Sequence, residues 1–293
     1  MNLFEGTGVA LVTPFDKQGG VDEISLRRLV RYVLEGKVDY LVALGTTSEA
    51  ATLTPEEKIR VTGIILEENQ GRVPVMLGVG GNNTVEVIRN IGDFPLLSDC
   101  KGILSVTPYY NKPSQEGMYQ HFRKISECSP LPLFLYNVPG RTGVHLAAHT
   151  VVRLSRDCPN IIGVKEASGN FAQVSEILRD RRPGFTVVSG DDGLTLPLLA
   201  LGVEGVISVI ANVCPSEFSE MVRLAWQEHY RKAAEIHLRL SGLFKALFEE
   251  GNPAGIKAAL HSRKVIENNV LRLPLVPVSE KLYKEIAEMF PQY

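Results

Sequence analysis

The sequence has 293 residues, 44% of them hydrophobic, which is enough apolar material for one large core or two smaller ones. Its 31 basic residues nearly balance its 33 acidic residues, and this argues against nucleic acid or an anionic membrane as the main partner. The amino terminus lacks a signal-peptide pattern and no apolar stretch approaches about 18 residues, so we expect a cytoplasmic protein without a membrane anchor.

Eight short runs rich in valine, isoleucine, leucine and tyrosine predict β-strands. In chain order they cover residues 8–15, 40–44, 73–79, 102–107, 131–137, 161–166, 185–189 and 205–210. Most are continuously apolar, as is typical of parallel strands that are covered on both faces.

Helical patterns fill the intervals between these runs. An apolar stripe with helical spacing ends at Gly36, and Thr54-Pro55-Glu56-Glu57 has the features of a helix start. This alternation predicts a (β/α)8 barrel over residues 1–224, followed by a helical domain over residues 225–293. A doubly wound open sheet is the rival, but the glycine-rich run at 78–83 lacks the spacing of a dinucleotide-binding turn.

The cysteines and histidines do not predict a metal site. Cys100, Cys128, Cys158 and Cys214 are scattered without CxxC spacing, so we expect reduced thiols. His145 and His149 have a spacing that suits zinc, but the sequence offers no third ligand.

Lys165 has the most specific functional hypothesis. It ends an apolar strand, IIGVK, on the face of the barrel where active sites are found. A lysine there can simply reach solvent or pair with a carboxylate. The functional alternative is a Schiff-base nucleophile, since burial beside an apolar strand disfavours the charged ammonium and favours the amine that attacks a ketone.

Other strand ends offer the groups that such chemistry needs. Tyr136 and Tyr110 can shuttle protons, Thr46 and Thr47 can hold a carboxylate, and Arg141 presents a bidentate fork to a second one. Each also has a simpler explanation as a packing residue or part of a turn.

Taken together, these segments resemble the dihydrodipicolinate synthase family of pyruvate-dependent aldolases. The resemblance covers nearly the whole chain, and the motifs occur in family order as ALVTPF, GTTSEAATL, TPYYNKPSQEGMYQHF, LYNVPGRTG, IIGVKEASGN, SGDD and GVISVIANV. It implies a (β/α)8 barrel with a helical C-terminal domain, a homotetramer built as a dimer of tight dimers, and no dissociable cofactor.

The resemblance also implies a role for each matching residue. Lys165 forms a Schiff base with pyruvate, Tyr136 is the acid/base, and Thr47 relays protons to Tyr110, which is expected to enter from the neighbouring subunit. Thr46 and Thr47 hold the pyruvate carboxylate, and Arg141 binds the carboxylate of L-aspartate 4-semialdehyde. The backbone positions that line the pocket are Gly190 and Ile207.

Two departures from the family pattern concern fine geometry and regulation. Ser48 replaces a usual glycine beside Thr47. The candidate lysine-inhibitor site keeps Asn82, Glu86 and Tyr109, but Ala50 replaces a serine, and Pro55 and Lys58 replace histidines. A cation at Lys58 repels the ammonium of lysine, so we expect weak or absent inhibition.

Two other functions are weighed against this reading. Another pyruvate aldolase, such as N-acetylneuraminate lyase or a 2-keto-3-deoxy sugar acid aldolase, shares Lys165 and Tyr136. A non-catalytic sensor of keto acids or lysine is the second alternative, although a sensor has no need for a proton relay.

Overall fold

A computed structural model describes residues 3–290 as a closed barrel of eight parallel strands in chain order. The strands are β1 (Gly6–Ala10), β2 (Tyr40–Ala43), β3 (Val75–Gly78), β4 (Gly102–Val106), β5 (Leu133–Asn137), β6 (Ile161–Glu166), β7 (Thr186–Ser189) and β8 (Gly205–Ser208). The predicted (β/α)8 barrel is therefore confirmed.

Twelve α-helices surround and follow the barrel within the described range. They are α1 (Glu23–Glu35), α2 (Pro55–Asn69), α3 (Thr84–Gly92), α4 (Gln115–Cys128), α5 (Pro139–Thr142), α6 (Ala148–Asp157), α7 (Phe171–Asp180), α8 (Thr195–Leu201), α9 (Pro215–Trp226), α10 (Tyr230–Glu249), α11 (Ala254–Ser262) and α12 (Glu280–Met289). No helix in this range is both long and apolar enough to cross a bilayer.

The side chains of each strand divide between two cores. In β5, Leu133 and Leu135 pack outward against the helices, whereas Phe134 and Tyr136 face the barrel interior, as strand alternation requires. The interior cluster consists of Phe4, Ala10, Tyr40, Val42, Met76, Leu104, Phe134, Tyr136, Val138, Val188 and Ile207. The interior is thus a packed core, and only its carboxyl end is open to chemistry.

A register shift between β5 and β6 sets the direction of Lys165. Leu133 pairs with Ile161, but Phe134 pairs with Gly163, so Ile162 is the extra residue of a bulge. A Cβ on Gly163 would lie 2.4 Å from the Phe134 ring, and glycine therefore leaves room for that ring. Beyond the bulge, Lys165 is the neighbour of Tyr136 and shares its inward direction.

The strand and helix boundaries predicted from the sequence agree best with the structure where local sequence signals are strong. Strand β6 has the predicted bounds, and Thr54 forms the expected capping box with Glu57 at the start of α2. The prediction for the first strand is wrong, because β1 covers Gly6–Ala10 and not residues 8–15. The Leu11 N–H still donates to the Val42 carbonyl of β2 at 3.2 Å, but the next N–H, that of Val12, donates to the side-chain oxygen Asn212 Oδ1 at 3.2 Å.

Helices α9 to α12 form the carboxyl-terminal part of the chain, as the helical patterns predict. Phe218 of α9 and Phe244 of α10 make an edge contact with 6.1 Å between ring centroids. His261 Nδ1 of α11 lies 2.7 Å from the Tyr283 hydroxyl of α12. The predicted boundary at residues 224 and 225 falls inside α9 and stays a prediction.

The buried imidazole of His121 makes the stability of the fold sensitive to acid. Its Nδ1 lies 2.9 Å from the Thr84 hydroxyl, and its Nε2 has no partner among residues 3–290. Burial lowers the pKa of this side chain from 6.5 to about 4. The unfolded chain therefore binds the proton more tightly, so stability falls as the pH drops below about 6.5.

We expect protonation of His121 to lower the free energy of unfolding by about 2 kcal/mol when the pH falls from 8 to 5. Urea unfolding at both pH values measures the effect, and His121→Leu is expected to lose less stability on acidification than the native chain. His229→Leu is the matched control, because His229 is exposed at the start of α10. Equal acid sensitivity of the native chain and His121→Leu contradicts the prediction.

Candidate active site

Lys165 lies at the carboxyl end of β6 with its amine inside the barrel mouth. The side chain is 6% exposed, and its Nζ lies 4.3 Å from the centroid of the Tyr136 ring. Tyr136 is itself 7% exposed on the adjacent strand β5. No carboxylate oxygen among residues 3–290 lies within ion-pair distance of this amine, so the structural explanation of Lys165 as half of an ion pair fails.

Glu166, the next residue, points to the opposite face of β6. Its carboxylate accepts hydrogen bonds from the Asn137 amide at 3.0 Å, the Gln173 amide at 2.8 Å and the Ser168 N–H at 2.7 Å. These neutral donors satisfy the buried charge. The strand therefore presents the amine to the interior and keeps the acid away from it.

One of the two predicted lining positions leaves space around Lys165. A Cβ on Gly190, which follows β7, would lie 2.6 Å from the Ala167 Cβ and 3.0 Å from the Lys165 Cε. Ile207 of β8 belongs to the same interior cluster as Tyr136. Gly190 thus adjoins the lysine, and a side chain at residue 190 would crowd it, whereas Ile207 shares only the interior cluster with Tyr136.

The GTTSE segment forms a short turn after β2. Thr47 is 2% exposed and its Oγ1 accepts a hydrogen bond from the Asn252 amide at 3.0 Å, whereas Thr46 is exposed. Ser48 Oγ donates to the Gly45 carbonyl at 2.7 Å, so its extra hydroxyl is absorbed within the turn. The Thr47 hydroxyl is bonded to Asn252 in this arrangement and not to Tyr136.

The turn is fastened by a buried ion pair that sequence reasoning missed. Lys257 of α11 donates to Glu49 Oε1 at 2.5 Å, and both side chains are fully buried. Burial lowers the pKa of Lys257 to about 8, although Glu49 opposes this shift. A lysine within the apolar run AGIKAAL was the available signal, but its partner lies 208 residues away.

Arg141 lies in α5, just after β5, and its side chain is exposed. One guanidinium nitrogen, Nη2, donates to the backbone carbonyl of Asn252 at 3.3 Å. Its other N–H groups have no described partner within residues 3–290 and can bind a carboxylate. Asn252, which the sequence did not single out, therefore contacts both Thr47 and Arg141.

Comparisons with known proteins find relatives over nearly the whole chain. Residues 3–292 match the model of the dihydrodipicolinate synthetase family. The chain belongs to this family. It is 49% identical over 284 residues to the 4-hydroxy-tetrahydrodipicolinate synthase of Flavobacterium psychrophilum, covering 96% of each chain. It is 50% identical to that of Phocaeicola vulgatus, covering 93% of this chain and 91% of the relative.

Solved structures of dihydrodipicolinate synthases have the same fold. The enzyme of Thermotoga maritima superposes with a TM-score of 0.96 at 41% identity, over 99% of each chain. A monomeric dihydrodipicolinate synthase variant also gives 0.96, at 42% identity over 99% of this chain and 97% of the other. The synthase of Cyanidioschyzon merolae with lysine bound gives 0.95, at 38% identity over 100% and 99%.

Within residues 3–290, no described contact joins Tyr110 to Lys165 or Tyr136. Tyr110 is 88% exposed and has a left-handed backbone with φ of 70°. The adjacent Tyr109 is bonded to the connection between β3 and α3, because its carbonyl accepts from the Asn82 amide at 3.4 Å. An aromatic side chain is thus held in solvent on an anchored loop.

The candidate inhibitor residues are only partly brought together. Asn82 and Tyr109 are in contact, and Glu86 is exposed in the first turn of α3. Ala50 and Lys58 are half-buried on the segments after β2. None of the contacts described within residues 3–290 joins Ala50 or Lys58 to the other three.

In the HLAAH segment, His145 is engaged in hydrogen bonds, whereas His149 is exposed. His145 Nε2 lies 2.6 Å from Gln173 Oε1, and its Nδ1 lies 3.4 Å from the Asn137 amide. Across residues 3–290, no cluster of three or more histidine, cysteine or acidic side chains has the geometry of a metal site. The four cysteines are free thiols.

Proposed function

We propose that Lys165, Tyr136, Thr47 and Tyr110 carry out the reaction of a 4-hydroxy-tetrahydrodipicolinate synthase. The enzyme is a lyase that condenses pyruvate with L-aspartate 4-semialdehyde in the diaminopimelate route to lysine. The observation that carries the residue assignment is the buried Lys165 amine, 4.3 Å from the Tyr136 ring centroid and without a carboxylate partner among residues 3–290.

The first half of the reaction builds a nucleophile from pyruvate. The Lys165 amine attacks the ketone carbon, Tyr136 supplies the proton with which the oxygen leaves as water, and an iminium forms. The iminium nitrogen withdraws electrons from the adjacent methyl group, which then loses a proton to give an enamine. Because this nitrogen is the electron sink, the mechanism requires no metal or dissociable cofactor.

The second half joins the two substrates. The enamine carbon attacks the aldehyde carbon of L-aspartate 4-semialdehyde and forms the new C–C bond, while the aldehyde oxygen becomes a hydroxyl. The amine of the semialdehyde then attacks the iminium carbon, closes the ring and releases Lys165. We assign the pyruvate carboxylate to Thr46 and Thr47, and the second carboxylate to Arg141, with Gly190 and Ile207 lining the pocket.

The relay from Tyr136 through Thr47 to Tyr110 needs two further conditions. The Thr47 hydroxyl bonds to Asn252 through its acceptor lone pair, so its hydrogen stays available to donate. Tyr110 has to reach the site from another chain, since it is 88% exposed here. We therefore propose a tight dimer as the active unit, paired into a homotetramer.

The remaining parts of the proposal concern architecture and location. We assign residues 1–224 to catalysis and residues 225–293 to a helical domain. A cytoplasmic location is supported by four free cysteines, which suit a reducing compartment.

Borohydride trapping tests the proposed chemistry directly. Reduction in the presence of pyruvate is expected to add a single covalent group to the peptide that contains Lys165, as read by mass spectrometry. A coupled assay with both substrates, run beside N-acetylneuraminate cleavage, separates the synthase from other pyruvate aldolases. No adduct on Lys165 favours a keto acid sensor.

We predict weak or absent inhibition by lysine. Lys58 adds a positive charge within α2, the inhibitor also carries an ammonium, and the two repel each other. A titration of the condensation rate with lysine is expected to show no half-inhibition in the sub-millimolar range. Half-inhibition by sub-millimolar lysine contradicts the prediction.

Variants of the same region provide the control. The triple substitution Ala50→Ser, Pro55→His and Lys58→His restores the residue types of the sensitive family members and is expected to gain inhibition. Lys124→His, on the exposed face of α4, changes the same charge elsewhere and is expected to have no effect.

A further inference from the structure

We infer that Asn252, in the connection between α10 and α11, is a positioning residue that holds the pyruvate-binding turn and Arg141 in one geometry. The inference rests on the proposed function, because it concerns the same two substrate-binding groups. It adds a residue from the carboxyl-terminal helices to an active site otherwise assembled at the ends of barrel strands.

The first contact orients a hydroxyl group. The Asn252 amide N–H donates to Thr47 Oγ1 at 3.0 Å, and the two residues are 8% and 2% exposed. Since this bond uses a lone pair of the oxygen, the hydroxyl hydrogen must point elsewhere. It is then ready to donate to a carboxylate or to a proton relay without first rotating.

The second contact restrains a flexible side chain. The Asn252 backbone carbonyl accepts from Arg141 Nη2 at 3.3 Å. An exposed arginine otherwise samples many rotamers, and binding a carboxylate would have to order it. A guanidinium held at one end presents its other N–H groups in a more constant direction.

Asn252 can position other groups because it is itself firmly placed. The helix that follows it, α11, is attached to the same GTTSE turn by the buried pair of Lys257 and Glu49. The other Glu49 oxygen accepts from the Arg272 N–H at 3.0 Å. The turn and the connection therefore belong to one rigid set of contacts.

The usual structural roles of a loop asparagine do not account for this side chain. Asparagine commonly caps a helix or closes a turn by bonding to nearby backbone. The cap of α11 is Pro253, and within residues 3–290 the Asn252 amide bonds only to Thr47. Its Oδ1 is buried without a partner in that range, so no local turn or cap fixes this side chain, and the bond to Thr47 is its described side-chain contact.

The test separates the two contacts by removing only the side chain. Asn252→Ala keeps the backbone carbonyl that holds Arg141, but it loses the bond to Thr47. We expect the pyruvate concentration for half-maximal borohydride trapping to rise about tenfold, while the KM for the semialdehyde changes less than about threefold. Trapping needs no second substrate, so it reports on the pyruvate side alone.

A double-mutant cycle shows whether Asn252 acts through Thr47. Thr47→Val and Asn252→Ala are each expected to weaken pyruvate trapping, and the double variant is expected to be no worse than Thr47→Val. His261→Leu is the matched control, because it loosens the contact between α11 and α12 without touching the turn. It is expected to lower stability and to leave the half-saturating pyruvate concentration unchanged.

The outcomes distinguish this inference from the proposed function. An unchanged half-saturating concentration in Asn252→Ala, equal changes in both constants, or additive effects in the cycle overturn the positioning role while the Lys165 adduct persists. No adduct in the native enzyme overturns the proposed function itself.

Discussion

Lys165→Met is expected to lower the rate of condensation by more than about a thousandfold and to abolish the borohydride adduct. The reason is chemical, because methionine fills a similar volume but has no amine to form the iminium. The barrel should tolerate the change, since the Lys165 amine forms no ion pair within the described range and the residue lies at the mouth.

Circular dichroism and thermal unfolding check that the variant keeps its fold. Lys257→Met is an instructive comparison, since it replaces the other buried lysine with the same residue. It strands the Glu49 charge in the interior, so we expect a loss of stability of about 3 kcal/mol or more with the pyruvate adduct still formed on the folded fraction. Substantial turnover by Lys165→Met would refute the proposed nucleophile.

Tyr110→Phe is expected to lower kcat about a hundredfold, because only the phenolic oxygen can pass a proton. Phenylalanine has the same ring and meets the same left-handed backbone, so the loop should keep its conformation. Tyr109→Phe is the matched control on the adjacent residue and is expected to retain most activity. A small effect of Tyr110→Phe would exclude this hydroxyl from the relay.

Complementation decides whether Tyr110 acts in a neighbouring site. When Lys165→Met and Tyr110→Phe chains are co-expressed, one site of each mixed dimer combines an intact Lys165 with an intact Tyr110. Random pairing then restores about a quarter of native activity. If Tyr110 serves its own chain, the mixture is expected to be no more active than the two variants assayed separately.

Much of the barrel follows from local patterns. Strand β6 has the predicted bounds because the apolar run Ile161–Val164 follows Asn160 directly and the charged pair Lys165 and Glu166 marks its end. The start of α2 follows from a capping box whose two bonds join residues only three apart. Signals of this kind are complete within a few residues, so they can be recognised in the sequence.

The first strand shows where local patterns fail. The apolar run from Val9 to Val12 continues beyond the strand because the chain is still buried there, next to Asn212. The pairing of Gly6 with Gly205 begins the strand earlier than glycine's weak strand preference suggests. Burial and strand pairing are thus separate properties. Strand pairing stops at the edge of the barrel, whereas burial of the chain continues beyond it.

By itself, the sequence determined the type and order of the elements, the placement of Lys165 and Tyr136 at adjacent strand ends, and the family. The tertiary structure decided which distant groups complete the site: the Lys257 pair with Glu49, and Asn252 between Thr47 and Arg141. The physical reason is separation along the chain. Periodicity and caps are short-range, whereas contacts between residues about two hundred positions apart exist only after the barrel closes and the last helices dock.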